Sequence, residues 1–155
     1  MIKGFSIRKK MFDMKRFRFL EHTADAYVEV YGSDLEEAFG NAGAAMTDVM
    51  TELETVEPRD QEKFVVEAQD EPALLYNWLE ELLLEFELKG KLYSRFEVTG
   101  IQKTSKGFRL EAKAWGEPYD SSKHPSKVGI KAATYHQMEI LKESGSVVVR
   151  FILDI

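Results

Sequence analysis

A five-residue cluster of polar groups, E-H-T-A-D at residues 21–25, brings two carboxylates, an imidazole and a hydroxyl close together. The cluster lies between two short stretches of alternating apolar residues, so it is predicted to form a turn whose side chains are exposed and could converge on one point. Thr23 and Asp25 are also ordinary turn formers, and His22 alone could be a half-buried, hydrogen-bonded histidine. Composition leaves both interpretations open.

The last two residues of the chain are a second candidate. The final segment, V-V-V-R-F-I-L-D-I, predicts a strand that holds the terminus in a sheet, so Asp154 stands one residue from the α-carboxylate of Ile155. Two anionic groups held close together repel and must be neutralised or protonated. If Asp25 converges on them, the three carboxylates make an oxygen-only site suited to Ca²⁺ or Mg²⁺. The alternative is a solvated terminus on an acidic surface.

A third group of residues lies in the segments S-K-H-P at 122–125 and K-A-A-T-Y-H at 131–136. Lys131, Tyr135 and His136 could form a basic edge that holds an anion. The structural alternative is that the proline shapes a loop and that Tyr135 is a core aromatic residue whose hydroxyl is hydrogen-bonded.

Apolar periodicity predicts the elements that position these groups. Apolar residues at three- and four-residue steps predict a first helix over about residues 34–51, with Ser33 or Asp34 as its N-cap and Glu37 at N3 of a capping box if Asp34 is the cap. A second helix, with Asp70 as N-cap and Gly90 at its end, has the widest apolar face and is expected at the centre of the core. Its glutamates are expected on a solvated face: Glu80, Glu81, Glu85 and Glu87.

The remaining segments alternate like strands, which gives the order β-β-α-β-α-β-β-β-β. Because the strands lack regular βαβ alternation, the sequence predicts an α+β fold: one mixed, mostly antiparallel sheet with two helices packed on one face. A chain of 155 residues suits a single domain. We expect that domain to span residues 15–155, with residues 1–14 as a flexible N-terminal extension.

Composition narrows the classes of function. Seven of the 21 basic residues lie within the first 18 positions, against one of the 27 acidic residues, so the rest of the chain is strongly acidic. An acidic body repels phosphate backbones and suits a cation or a basic protein partner. The absence of cysteine excludes disulfides, thiolate metal sites and cysteine nucleophiles. With no apolar run of about 20 residues and no secretory signal, we expect a cytoplasmic protein without a membrane span.

The usual enzyme motifs are missing from the sequence. It contains no P-loop, no G-x-G-x-x-G, no G-x-S-x-G and no H-E-x-x-H. A small metal-dependent hydrolase that uses Asp25 and His22 stays an alternative, although no second basic or nucleophilic motif accompanies them.

Six segments in register resemble one known family, the archeases, over about residues 15–155: E-H-T-A-D, G-S-D-L-E-E-A-F, L-L-Y-N-W-L-E-E-L-L, S-K-H-P, K-A-A-T-Y-H and the terminal D-I. The sequence departs from the family at Ala26 and Ala133, where a bulkier or β-branched residue is common. The resemblance implies a small cytosolic protein cofactor, not itself an enzyme, that activates an RtcB-type RNA ligase in tRNA splicing. It also implies that RNA is contacted only indirectly, through the ligase.

The resemblance further implies stimulation of ligase guanylylation and turnover, with no catalytic residues on this chain. It implies a bound divalent cation, Ca²⁺ before Mg²⁺, with Asp25, Asp154 and the backbone of Ile155 as ligands. A chaperone-like role with RNA-modifying enzymes is also linked to the family and is kept as an alternative.

Overall fold

The computed structural model describes residues 16–20 and 25–155 of the chain. The predicted order of elements is confirmed. The two α-helices are α1 (Leu35–Met50) and α2 (Glu71–Lys89), and a short 3₁₀ turn follows α1 at Leu53–Thr55. The strands are β1 (Phe17–Leu20), β2 (Asp25–Gly32), β3 (Asp60–Ala68), β4 (Lys91–Thr104), β5 (Gly107–Pro118), β6 (Ala132–Glu143) and β7 (Ser146–Asp154).

The strands form two sheets, so the α+β class is confirmed and the expectation of a single mixed sheet is corrected. The first sheet has the strand order β1-β2-β7-β6, and the second has the order β3-β5-β4. All strand pairs in the described part of the chain are antiparallel. Alternation along a strand predicts which side chains face the core, but the choice of partner strand depends on long-range packing. The single-sheet prediction failed for that reason.

Both helices begin at the predicted caps. The carboxylate of Asp34 accepts a hydrogen bond from the N–H of Glu37 at 2.8 Å, and the Glu37 carboxylate accepts one from the N–H of Ser33 at 2.6 Å. Asp70 caps α2 in the same way, and Gly90 ends that helix with a φ of 66°. These contacts satisfy backbone groups that a helix end leaves unpaired.

The core lies between the helices and the inner faces of both sheets. Helix α1 contacts β2 and β4, while α2 contacts β6 and β3, so each helix bridges the two sheets. Trp78 and Leu79 of α2 are fully buried, as expected for the most apolar element, and the Trp78 indole N–H donates to the carbonyl of Phe39 at 2.9 Å. Gly43 lets α1 approach the second sheet, because a Cβ there would lie 2.8 Å from the Phe96 ring.

In the described residues, no helix has both the length and the apolarity needed to cross a membrane.

Candidate metal centre

Asp25 and Asp154 are direct partners in the register between β2 and β7. Asp25 is the first residue of β2, and Asp154 is the last residue of β7. Residues directly opposite each other in an antiparallel pair project to the same face, with Cβ atoms about 4.5–5.5 Å apart. The register therefore brings together two of the carboxylates that the sequence analysis selected, and both residues are half-buried.

The two aspartates lie on the outer face of the first sheet. Their neighbours Ala26 and Leu153 belong to or pack against the core, and successive side chains of a strand point to opposite faces. The side chain of Ile155 also packs against the core, which anchors the chain end beside Asp154. We call Asp25, Asp154 and Ile155 the acidic corner.

Strand β6 and the residue before it hold the acidic corner from the other side. The N–H of Lys131 donates to the carbonyl of Asp154 at 2.7 Å, and Ala132 is the partner of Asp154 in the β6–β7 register. Asp154 is thus flanked by a carboxylate on β2 and by a small methyl group on β6. The hydrogen bond from Lys131 fixes the Asp154 backbone, and the small side chain of Ala132 leaves space beside the Asp154 carboxylate.

The donor set of the acidic corner fits a hard divalent cation. Carboxylates and a chain terminus supply oxygen only, which suits Ca²⁺ or Mg²⁺ rather than zinc or copper. Across residues 16–20 and 25–155, no group of three or more His, Cys, Asp or Glu side chains could hold a metal ion. Since Ca²⁺ takes about six to eight oxygen ligands, a cation here needs the terminus and further ligands from water or a partner. The ligand role of Asp25, Asp154 and Ile155 stays a prediction.

The other members of the first polar cluster fall outside the described residues. These are Glu21, His22 and Thr23, so their convergence with Asp25 also stays a prediction. The predicted N-terminal extension, residues 1–14, lies outside them as well.

A buried ion cluster on the same outer face was missed by the sequence analysis. Glu29 is 3% exposed and accepts hydrogen bonds from the Nε atoms of Arg18 and Arg150, each at 2.6 Å, and from the Tyr31 hydroxyl. Burial alone would raise the pKa of Glu29, but the bonds from Tyr31, Arg18 and Arg150 outweigh it and lower the pKa. The cluster joins β1, β2 and β7.

The ion cluster is separate from the acidic corner. Glu29 is four residues from Asp25 along β2, which is about 13 Å at the usual rise of a strand. Both arginines of the cluster bind the Glu29 carboxylate, and Arg150 also donates to Glu139 at 2.9 Å. The sequence signal for this cluster was Glu29, a charged residue in the middle of the apolar stretch of β2. Its arginine partners lie on other strands, so the sequence pattern of β2 does not reveal them.

Two residues of the S-K-H-P segment, Lys123 and His124, bind the buried carboxylate of Glu117. His124 is 1% exposed, and its Nδ1 accepts from the N–H of Asp120 at 2.9 Å, so Nε2 carries the proton that it donates to Glu117 at 2.8 Å. Lys123 contacts the same carboxylate at 2.8 Å, and the N–H of Glu57 donates to it at 3.0 Å. Burial opposes ionisation of Glu117, yet the Glu57 N–H, Lys123 and His124 overcome it and lower its pKa to about 2.

The third candidate group, which combines the S-K-H-P segment with the predicted edge of Lys131, Tyr135 and His136, is divided among separate partners. Lys123 and His124 bind Glu117, whereas Tyr135 stacks on Tyr76 of α2 with ring centroids 4.5 Å apart. Tyr135 is 52% exposed, so its interpretation as a core aromatic residue is wrong. The bulge in β6 between Thr134 and Glu139 interrupts the regular in-and-out alternation, and this explains the error.

Two of the helix glutamates expected on a solvated face make specific contacts. Glu80 accepts from the N–H of Ala133 at 2.7 Å and so fastens α2 to β6. Glu85 accepts from the Tyr93 hydroxyl at 2.8 Å. The expectation was therefore wrong for these two residues, because helical periodicity does not reveal which polar groups of other elements approach the helix.

Comparison with protein families finds one that covers nearly all of the described chain. Residues 17–155 match the model of the archease protein family (MTH1598/TM1083). The protein archease of Pyrococcus abyssi is 46% identical over 129 residues, which cover 83% of this chain and 90% of that protein. The protein archease of Sulfurisphaera tokodaii is 39% identical, with 92% of this chain and all of that protein covered.

Solved structures share the fold. The solution structure of Methanobacterium thermoautotrophicum protein 1598 is 41% identical, with a TM-score of 0.80, and covers 92% of this chain and all of its own. The crystal structure of an archease from Thermotoga maritima, described as a possible chaperone, is 17% identical with a TM-score of 0.58. It covers 89% of this chain and 96% of its own, and it supports the fold alone.

Proposed function

This chain belongs to the archease family, and from that membership we propose that it is a protein cofactor that activates an RtcB-type RNA ligase in tRNA splicing. In this proposal it stimulates guanylylation and turnover of the ligase in the cytoplasm and catalyses no reaction itself. The observation that carries the proposal is the pairing of Asp25 with Asp154 on β2 and β7. The pairing brings two carboxylates to one face at the end of the first sheet.

Asp25, Asp154 and the backbone of Ile155 are the proposed ligands of a divalent cation, Ca²⁺ with Mg²⁺ as the alternative. When bound, the cation supplies positive charge and open coordination positions at an otherwise acidic surface. The register holds the two aspartates on one face, and the Lys131 N–H fixes the backbone of Asp154. The packing of Ile155, the residue after Asp154, against the core supports its backbone as a third ligand.

The acidic composition of the chain supports a basic protein as its partner. An enzyme that binds RNA carries positive charge, so an acidic surface is attracted to it and repelled by the RNA itself. Activation then needs no chemistry on this chain. Binding that favours the competent state of the ligase by about 2.7 kcal/mol raises the population of that state about a hundredfold.

Guanylylation of a purified RtcB-type ligase by labelled GTP tests the proposal. The wild-type chain should accelerate label transfer to the ligase, and Asp25→Asn should not. Glu97→Gln, which removes an exposed charge on β4 in the second sheet, is the matched control and should behave like the wild type. Stimulation that survives loss of both aspartates would support the chaperone-like alternative. Hydrolysis of a phosphoester by the chain alone would support the hydrolase.

A further inference from the structure

Strand β3 forms an open and regular edge of the second sheet. It pairs with β5 from Asp60 to Ala68 without any register shift, and in the described part of the chain it has no other strand neighbour. The outer strands β4 and β6 both carry register shifts. Bulges protect edge strands from pairing with other chains, and β3 has neither a bulge nor a proline.

The backbone groups at this edge can be assigned from a side-chain contact of α2. The amide of Asn77 donates to the carbonyl of Glu67 at 2.9 Å, so that carbonyl points away from β5 and toward the helix. Residues of an antiparallel strand alternate between bonding their neighbour and facing away from it. Lys63 and Val65 share the phase of Glu67, and their N–H and C=O groups therefore face the open edge.

An independent contact on the other side of β5 gives the same assignment. The hydroxyl of Thr99 on β4 donates to the carbonyl of Glu111 at 3.1 Å, so the backbone of Glu111 faces β4. Glu111 is the partner of Val65 in the β3–β5 register. Because Glu111 does not bond β3, the backbone groups of Val65 do not bond β5 either.

A groove of about 380 Å³ lies between this edge and α2. Its apolar contacts include Val65 and Leu84, which are 55% and 44% exposed. None of the residues that line it is basic, and three are glutamates. The lining residues are Val65, Val66 and Glu67 from β3 with Asn77, Glu80, Glu81 and Leu84 from α2.

We propose that this groove binds an extended segment of a protein partner in which basic and apolar residues alternate. The segment adds to the second sheet as a fourth strand, and its backbone bonds the open groups of Lys63 and Val65. Alternate side chains reach opposite sides of such a strand. Lysines or arginines on the side toward α2 reach Glu81 and cover Leu84 with their aliphatic stems, while apolar residues on the other side contact Val65. The site lies on the second sheet and does not depend on the acidic corner of the first.

Charge disfavours a second copy of this chain as the occupant. Strand β3 carries three acids, Asp60, Glu62 and Glu67, against one lysine, so two β3 strands placed side by side would each bring net negative charge to the contact. The chain also carries a net charge of −6. A basic segment gains from the same charges that repel a second copy.

The probe is a synthetic seven-residue peptide of alternating lysine and valine with blocked ends, titrated into the ¹⁵N-labelled full chain. The amide signals of Lys63 and Val65 should shift, and their hydrogen exchange should slow, because the peptide accepts hydrogen bonds from them. The same peptide with glutamate in place of lysine should cause no shift.

Three variants locate the binding. Val65→Pro removes an edge N–H that β5 does not use, so the fold should persist while binding weakens by about tenfold or more. Glu81→Lys should weaken it by a similar factor of about tenfold through charge reversal in the groove. Glu97→Lys makes the same charge change on β4 and should leave the affinity within roughly twofold, since the charges are then screened from each other.

Several results would overturn this proposal. One is the absence of peptide binding up to millimolar concentration. Another is equal peptide affinity of Glu81→Lys and the wild type, and this result counts against the proposal even if Val65→Pro does not fold. Shifts confined to other strands would also contradict it. Concentration-dependent protection of Lys63 and Val65 without peptide would mean that the edge pairs with a second copy instead.

Discussion

Asp25 and Asp154 lie directly opposite each other on β2 and β7, although they come from near the two ends of the chain. Like charges in directly opposed positions of a sheet are destabilising. A cation bound by both carboxylates would offset such repulsion. Ile155, which follows Asp154, packs against the core.

Calcium should stabilise the folded protein through this pair. Titration with Ca²⁺ should raise the melting temperature of the wild type, because a ligand that binds only the folded state adds about 2.7 kcal/mol at a hundred times its Kd. Asp25→Asn, which keeps the size of the side chain and removes its charge, should lose most of the rise. Thermal melts with and without chelator measure this. An equal rise in the two proteins would exclude the acidic corner as the site.

Loss of Asp154 should separate activity from stability. Asp154→Ala leaves no core cavity and relieves repulsion with Asp25, so its metal-free stability should equal or exceed that of the wild type. Leu82 is 4% exposed, and Leu82→Ala should cost about 2–5 kcal/mol of unfolding free energy. Urea unfolding in chelator, beside a ligation assay, measures both. A metal-free Asp154→Ala that unfolds as easily as Leu82→Ala would contradict the separation.

The free chain end should matter chemically. A purification tag after Ile155 removes the terminal carboxylate beside Asp154 and crowds the acidic corner. Ligase stimulation should therefore fall with the tag at this end and persist with the same tag at the N-terminus. Full stimulation by the C-terminally tagged protein would remove the terminus from the proposed ligand set.

The buried carboxylate of Glu117 should make stability depend on pH. Its pKa in the folded chain, about 2, lies below the ordinary value of 4.5, so its stabilisation is present above about pH 4.5 and is lost as the pH falls toward 2. Glu117→Gln should cost about 1.5–3 kcal/mol near neutral pH, because it replaces the charged acceptor of Lys123, His124 and the Glu57 N–H with a neutral one. Urea unfolding of both proteins across the acid range should show this difference shrinking. A difference that stays constant down to about pH 2 would show that ionisation of Glu117 is not its source.

Local signals were sufficient for the order of the elements and for the ends of the helices. Asp34 and Asp70 cap their helices as predicted because capping depends on residues within one turn. The strand signals near Asp25 and Asp154 also placed both residues at strand ends, where the register could bring them together.

Contacts between distant segments were not readable from local patterns. Periodicity shows which face of β2 is apolar, but not that Glu29 meets Arg150 of β7 or that the strands divide into two sheets. The sequence analysis grouped His124 with residues that could hold an anion, whereas its partner in the structure is Glu117, seven residues earlier on β5. Such partners are set by how the sheets pack, and the spacing of residue types does not encode that packing.

Multiple-turnover joining of RNA ends by a purified RtcB-type ligase tests the central claim most directly. The assay compares the wild-type chain with Asp154→Asn and with the control Glu97→Gln, all first shown to have the same melting temperature in chelator. The account predicts that wild type and Glu97→Gln both raise ligase turnover and that Asp154→Asn leaves it at the level of the ligase alone. Stimulation by Asp154→Asn equal to that of the wild type would contradict the proposal that the acidic corner is the working surface.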